Sequence, residues 1–300
     1  MSAEGTVGAA LGGAAALLRD ATRSPQLDAE LLLAYVLKRR REELIAHREE
    51  ALLSHAAHAF ASLIRRRAEG VPLPYLTGVI EFYGRPFAVT PAVLIPRTET
   101  EAVAEEALRL LDTSAVLHPV VADIGTGSGV LAVTIAAEAP RARVVATDRS
   151  PAALAVARRN ARRHRILRRI TFIESDLLTE IPQELAPHCI VANLPYLPAD
   201  ELKRAGETLD TRGLTFEPPK ALDGGPDGLF VIRRFFAQLR RLEPIRALLT
   251  SLILEYSPTQ RRRILELAHD ALPTFRPREF SPFVTSWTRT EQRRSGGLSP

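Results

Sequence analysis

From about residue 120 onward the chain alternates short apolar runs with stretches of helical periodicity, and that alternation leaves few folds open. Residues 120–124, 143–147, 170–174, 188–192 and 248–254 read as strands, and 130–138, 151–164, 227–242 and 258–272 as helices. Repeats of this length lay successive strands parallel, with helices covering both faces of the sheet. Two short strands at 278–280 and 283–287 close the domain. The expected class is α/β: a Rossmann-like, mainly parallel, seven-stranded sheet.

Upstream, residues 7–69 read as helices only. Leu27, Leu31, Leu32, Ala34, Tyr35 and Val36 form an apolar stripe behind a start signal at Ser24-Pro25. A second helix over 49–69 stops at Gly70. Tyr75, Phe82, Tyr83, Phe87 and Val89 then interleave with Gly78, Gly84 and Pro86, which predicts a β-hairpin linker. Thr98 and Glu101 have capping-box spacing for a helix running to about residue 111. The predicted organisation is a helical substrate-recognition domain over 1–70, a hairpin linker over 71–95 and a catalytic domain over 96–289. A disordered tail, rich in Arg, Ser and Gly, is expected over 290–300.

Hydrophobic residues make up 46% of the 300, enough to bury one large core and a small one. No uninterrupted apolar run reaches roughly eighteen residues, so no membrane span is expected. The N-terminal stretch has no basic region ahead of an apolar block, so no signal peptide is read and a cytoplasmic protein is expected. Cys189 stands alone in an apolar strand, which excludes an intramolecular disulfide and a cysteine zinc cluster. His47, His55 and His58 have no carboxylate or cysteine at ligand spacing, and no metal is expected. The net charge of +5 invites a nucleic-acid partner. Only Lys38, Lys203 and Lys220 are lysines, however, and the arginine runs adjoin helical patterns, so that reading stands second.

Three successive strands end in acidic residues. Val121-Ala122-Asp123-Ile124 runs into Gly125-Thr126-Gly127-Ser128-Gly129, a strand, a glycine turn and a helix start. Glycines allow close backbone approach to a ligand at the carboxyl edge of the sheet, where α/β folds bind ligands. The spacing is not the dinucleotide Gly-x-Gly-x-x-Gly. Asp148 ends the second strand, placed to accept two ribose hydroxyls or to cap the helix that follows. Asp176 and Leu177 follow the third strand within reach of an adenine edge. Carboxylates at three strand ends fit an adenosine with a cationic amino-acid tail, namely S-adenosylmethionine. The fourth strand delivers Ala192-Asn193-Leu194-Pro195-Tyr196: an amide, a fixed φ and an aromatic ring, the set needed to hold a nitrogen for alkylation.

These segments together resemble the protein-(glutamine-N5) methyltransferases of class I peptide chain release factors. The resemblance rests on residues 93–101 (Val-Leu-Ile-Pro-Arg-Thr-Glu-Thr-Glu), 66–72, 78–84, 27–34, 216–222 and 225–229, and covers roughly residues 7–260. It implies S-adenosylmethionine as cofactor, held by Gly125, Thr126, Gly127, Ser128, Gly129, Asp148, Asp176, Leu177 and Asn193. It implies a release factor as partner, no membrane and a monomer. Asn193, Pro195 and Tyr196 are the implied catalytic residues and, with Leu194, the substrate-binding turn. The Asn193 side-chain oxygen and the Leu194 carbonyl would accept the two N–H bonds of the glutamine amide, with Tyr196 beside its plane. The family's turn reads Asn-Pro-Pro-Tyr. Leu194 restores an N–H there and is expected to loosen the turn, and Asn-Leu-Pro-Tyr resembles the rRNA adenine-N6 dimethyltransferases. Adenine-N6 methylation of RNA or DNA, and an impaired cofactor-binding homologue, are therefore the alternatives.

Overall fold

A computed structural model describes residues 5–290. The predicted tail lies, Thr290 excepted, outside the described residues. Thr290 itself donates its N–H to the Thr274 carbonyl at 3.0 Å.

The first unit is helical: Val7–Leu17, Pro25–Leu37, Arg41–Ala46 and Ser54–Ala68 surround a core that includes Leu11, Leu32, Leu33, Phe60 and Ile64. The helix expected from residue 49 starts at Ser54, because Ala51 is held in an antiparallel bridge to Thr6. Arg67 donates to Asp28 at 2.7 Å inside this unit, both side chains being largely buried. The expected linker opens with a helical turn, Leu73–Thr77, before its hairpin, β1 (Val79–Phe82) and β2 (Arg85–Ala88). Tyr83 and Gly84 both have positive φ, as a two-residue turn matching the strand twist requires.

The second unit carries β3 (Val120–Ile124), β4 (Arg143–Asp148), β5 (Ile170–Glu174), β6 (Cys189–Asn193), β7 (Ser251–Glu255), β8 (Phe275–Ser281) and β9 (Val284–Arg289). Their order is β5-β4-β3-β6-β7-β9-β8, parallel throughout except for β9, which is antiparallel to both neighbours. Period-two alternation splits each strand between two cores. Ala122, Ile124, Val145, Ile190 and Leu252 face Phe235, Phe236 and Ile264, whereas Val121, Val144, Ala146, Val191 and Ile253 face Val103, Leu131 and Val133. The chain builds outward from β3 to β5 and then returns to lay β6 on the other side of β3. Ligands bind at such a reversal.

Two further expectations need correction. The strand predicted over 248–254 is Ser251–Glu255, preceded by a helix, Glu243–Leu248. Pro244 sits in that helix's first turn, where its missing N–H costs nothing. The capping box at Thr98 does not form: Thr98–Thr100 is a 3-10 turn without side-chain caps, and the helix is Glu101–Asp112. Glu101 instead accepts the Tyr83 N–H at 2.7 Å, tying helix to hairpin.

Candidate active site

The reversal places the turn after β3 beside the turn after β6, since Ile124 pairs with Ala192 in register. Between them opens a cavity of about 610 Å3, a size that suits a nucleoside-bearing ligand. The glycine turn is tightly held. The N–H groups of Gly125 and Thr126 both reach the Thr147 carbonyl, at 2.9 and 2.8 Å. Gly127 donates to Asp148 Oδ2 at 2.9 Å, and all three glycines of the turn have positive φ.

Gly125, Thr126, Gly127 and Ser128 line the cavity, as do Asp148, Asp176, Leu177, Asn193, Leu194 and Pro195. Gly129 and Tyr196 are not on its wall. A Cβ at Gly129 would stand 2.9 Å from that of Ala157, so this glycine lets two helices meet. The Tyr196 ring packs on the main core, and its carbonyl accepts from Gln260 at 2.9 Å.

Asp123 also lines the cavity, with one carboxylate oxygen engaged inside the protein. It is 1% exposed, and its Oδ2 accepts the Thr126 hydroxyl at 2.6 Å and the Ala132 N–H at 3.0 Å. Burial pushes its pKa up to about 7, against those two hydrogen bonds. Asp148 is raised chiefly by burial too. It is not the helix cap: Ser150 caps by accepting the Ala153 N–H, while Asp148 accepts the Ser150 N–H at 2.9 Å. Each Asp148 oxygen keeps acceptor capacity for a hydroxyl. Asp176 is half-exposed at the cavity mouth, paired with Arg234, which also lies over the Phe230 ring. Leu177 has φ 61°, a left-handed conformation costly for leucine. Its carbonyl holds the Thr147 and Ser175 hydroxyls at 3.1 and 3.0 Å.

Asn193 ends β6. Its Nδ2 donates to Thr100 Oγ1 at 3.0 Å, leaving Oδ1 as the acceptor for a ligand. Leu194 was expected to loosen the turn. It is 2% exposed and packs beneath the glycine turn, where a Cβ at Gly125 would stand 3.3 Å from its Cδ2.

Four residues that sequence reasoning missed complete the site. Thr100 is buried and receives the Asn193 amide. Glu217 accepts the Ile95 N–H at 2.9 Å and Arg97 at 2.5 Å, clipping residues 95–97 to the segment after the β6 turn. Asn160 is 0% exposed and accepts the Ala88 N–H at 2.7 Å. It donates to the carbonyls of Ala88 and Ser128 at 2.9 and 2.8 Å, joining hairpin to glycine turn. Glu255 ends β7 opposite Asn193, and burial above all pushes its carboxyl up to about 7. The Ile-Pro-Arg and Phe-Glu-Pro segments marked Arg97 and Glu217 in the sequence; nothing local marked Asn160 or Glu255.

Known proteins resemble this chain in both units. Residues 9–78 match the PrmC N-terminal domain and residues 105–211 the methyltransferase small domain. The release factor glutamine methyltransferase of Moorella thermoacetica is 47% identical over 209 residues, 70% of this chain and 71% of that protein. Its counterpart in Burkholderia pseudomallei is 44% identical over 228 residues, 75% and 77% of the two chains. That of Nitratidesulfovibrio vulgaris is 34% identical over 271 residues, 90% and 84%. Among solved structures, the hMettl16 catalytic domain in complex with MAT2A 3'UTR hairpin 1 aligns with a TM-score of 0.53 at 13% identity. The alignment covers 76% of this chain and 90% of that one, a likeness of fold alone.

Proposed function

The chain belongs to the release factor glutamine methyltransferases, and on that premise we propose that it methylates N5 of the glutamine in the Gly-Gly-Gln motif of class I release factors. Its fold is that of class I S-adenosylmethionine-dependent methyltransferases, and S-adenosylmethionine is its cofactor. The residues present suit that molecule. Gly127 and its neighbours give a backbone cradle, Asp148 turns a carboxylate toward the cavity, and Asp176 and Leu177 line the same cavity. When bound, the cofactor supplies an electrophilic methyl group on a sulfonium.

The protein's own task is to present a poor nucleophile. An amide nitrogen shares its lone pair with its carbonyl, so geometry must compensate. Asn193 Oδ1 and the Leu194 carbonyl accept the two N–H bonds of the glutamine and turn the nitrogen toward the cofactor side of the cavity. Orientation of this kind is worth up to about 7–11 kcal/mol in favourable cases. Preorganised acceptors also stabilise positive charge as it develops on the nitrogen. Pro195 fixes φ and keeps both acceptors aimed. One observation carries the reading: the Asn193 amide is anchored through Nδ2 to Thr100, beside the cavity, with its oxygen left to accept.

The helical unit positions the release factor. Support comes from its attachment to the segment that follows the catalytic turn: Arg23 pairs with Asp210 at 2.5 Å, and Phe216 packs on the helical core. The protein acts as a cytoplasmic monomer, with nucleic acid a secondary partner at most. Asn193→Ala is the test. Methyl transfer to a purified release factor should fall by about 100-fold or more, while calorimetry finds cofactor affinity nearly unchanged. Loss of both together would refute the assigned role.

A further inference from the structure

Glu255 has no part in the chemistry above, yet it stands beside Asn193 in the parallel register of β6 and β7. Glu255 is 1% exposed, and its Oε2 has no hydrogen-bond partner among the described residues. Thr100, Asn193 and Tyr196 all offer it hydrogens. A carboxyl group buried without a cation is expensive to keep. Resting on the function proposed above, we propose that Glu255 is a positioning residue whose ionised carboxylate fixes which end of the Asn193 amide faces the substrate.

An ionised carboxylate can only accept. While Glu255 is ionised, Asn193 keeps its NH2 toward Glu255 and Thr100, and Oδ1 faces the cavity. Once protonated, the carboxyl O–H can donate, and Asn193 Oδ1 is the acceptor beside it. Protonation thus opens a second orientation of the amide, with Oδ1 toward Glu255, in which it presents N–H groups to a glutamine nitrogen that itself carries only N–H groups. Two donors face each other and the substrate nitrogen is no longer held.

The surroundings make that protonation accessible. Burial raises the carboxyl first, the charge of Glu99 in the 3-10 turn adds to it, and the hydrogen bonds from Thr100, Asn193 and Tyr196 oppose it, for a net value of about 7. Arg97 acts on Tyr196 from the same turn, and β9 sets the uncharged Val284 opposite Glu255. The active form is therefore the high-pH form, and turnover should climb as pH rises through neutrality.

The test compares wild type, Glu255→Gln and Glu255→Asp on a purified release factor, measuring kcat, KM and the pH dependence of kcat, with cofactor affinity by calorimetry. Glutamine has nearly the same shape but can donate as well as accept. Glu255→Gln should lower kcat on the order of 100-fold, leave cofactor affinity within about two-fold, and abolish the rise of kcat near neutral pH. Glu255→Asp keeps an acceptor-only group and should retain the rise and part of kcat. Asp123 titrates in the same range, so the deciding result is the loss of the rise in Glu255→Gln. Wild-type kcat in that variant, or a slow variant whose pH rise persists, overturns the inference. If Glu255→Gln does not fold, a flat profile in Glu255→Asp overturns it. A wild-type chain that transfers nothing to the release factor overturns the proposed function, and this inference with it.

Discussion

Asn160→Asp keeps side-chain shape almost unchanged and should still be severe at neutral pH. Asn160 is fully buried and uses three hydrogen bonds: Oδ1 from the Ala88 N–H at 2.7 Å, and Nδ2 to the Ala88 and Ser128 carbonyls at 2.9 and 2.8 Å. The substitution preserves the first bond and turns a carboxylate oxygen on two carbonyls. Fully buried carboxyls rise by about 3–5 pH units, at about 1.36 kcal/mol each. The ionised variant should therefore lose about 4–7 kcal/mol, against a typical total stability of about 5–15 kcal/mol. The sign follows from the raised folded pKa. The penalty is small below about pH 4, where the new group is protonated in both states, and grows as pH rises toward the folded value. Asn160→Ala orphans the same backbone groups without adding charge and should lose about 3–6 kcal/mol with no new pH dependence. Urea unfolding of the three proteins at about pH 5 and pH 8 separates the cases. Parallel behaviour of Asn160→Asp and wild type across that range would show that these three bonds do not hold the hairpin to the glycine turn.

Three further outcomes follow from the same site. Gly129→Ala combines a left-handed backbone, φ 82°, with a Cβ 2.9 Å from that of Ala157; it should lose about 2–5 kcal/mol in denaturant melts, and a loss under about 1 kcal/mol would mean the helices move apart freely. Asp176→Asn should weaken cofactor binding about ten-fold by calorimetry yet change stability by less than about 1 kcal/mol, since its ion pair with Arg234 is half-exposed; the reverse pattern would make Asp176 structural. The Asp123 carboxyl is raised from 3.8 to about 7, so its unfolded form binds fewer protons between about pH 4 and 7, and stability falls with rising pH there. Asp123→Asn should gain on wild type across that window in urea titrations, and a constant difference would refute the assignment.

The central parallel strands were legible because burial on both faces writes them as apolar runs: β3 begins and ends where the sequence places it, and β6 is displaced by one residue. The glycine turn, Asp148 and Asn193 were legible for the same reason, since each stands at the end of such a run. What stayed hidden depends on contacts distant in sequence. Thr98 and Glu101 carry a capping signal, but Tyr83 takes Glu101 and Asn193 takes Thr100. Glu255 looks like an ordinary polar strand end until the β6–β7 register sets it against Asn193. Asn160 looks like a helix-surface amide, and only the packing of hairpin, helix and glycine turn explains it. Leu248 and Leu249 extend the apolar run before β7, and Pro244 turns part of it helical.

The most direct measurement is methyl transfer from labelled S-adenosylmethionine to a purified class I release factor and to its Gly-Gly-Gln→Gly-Gly-Ala variant, with naked RNA alongside. The account predicts incorporation into the first alone. Equal labelling of both release factors, or labelling of RNA only, would contradict it.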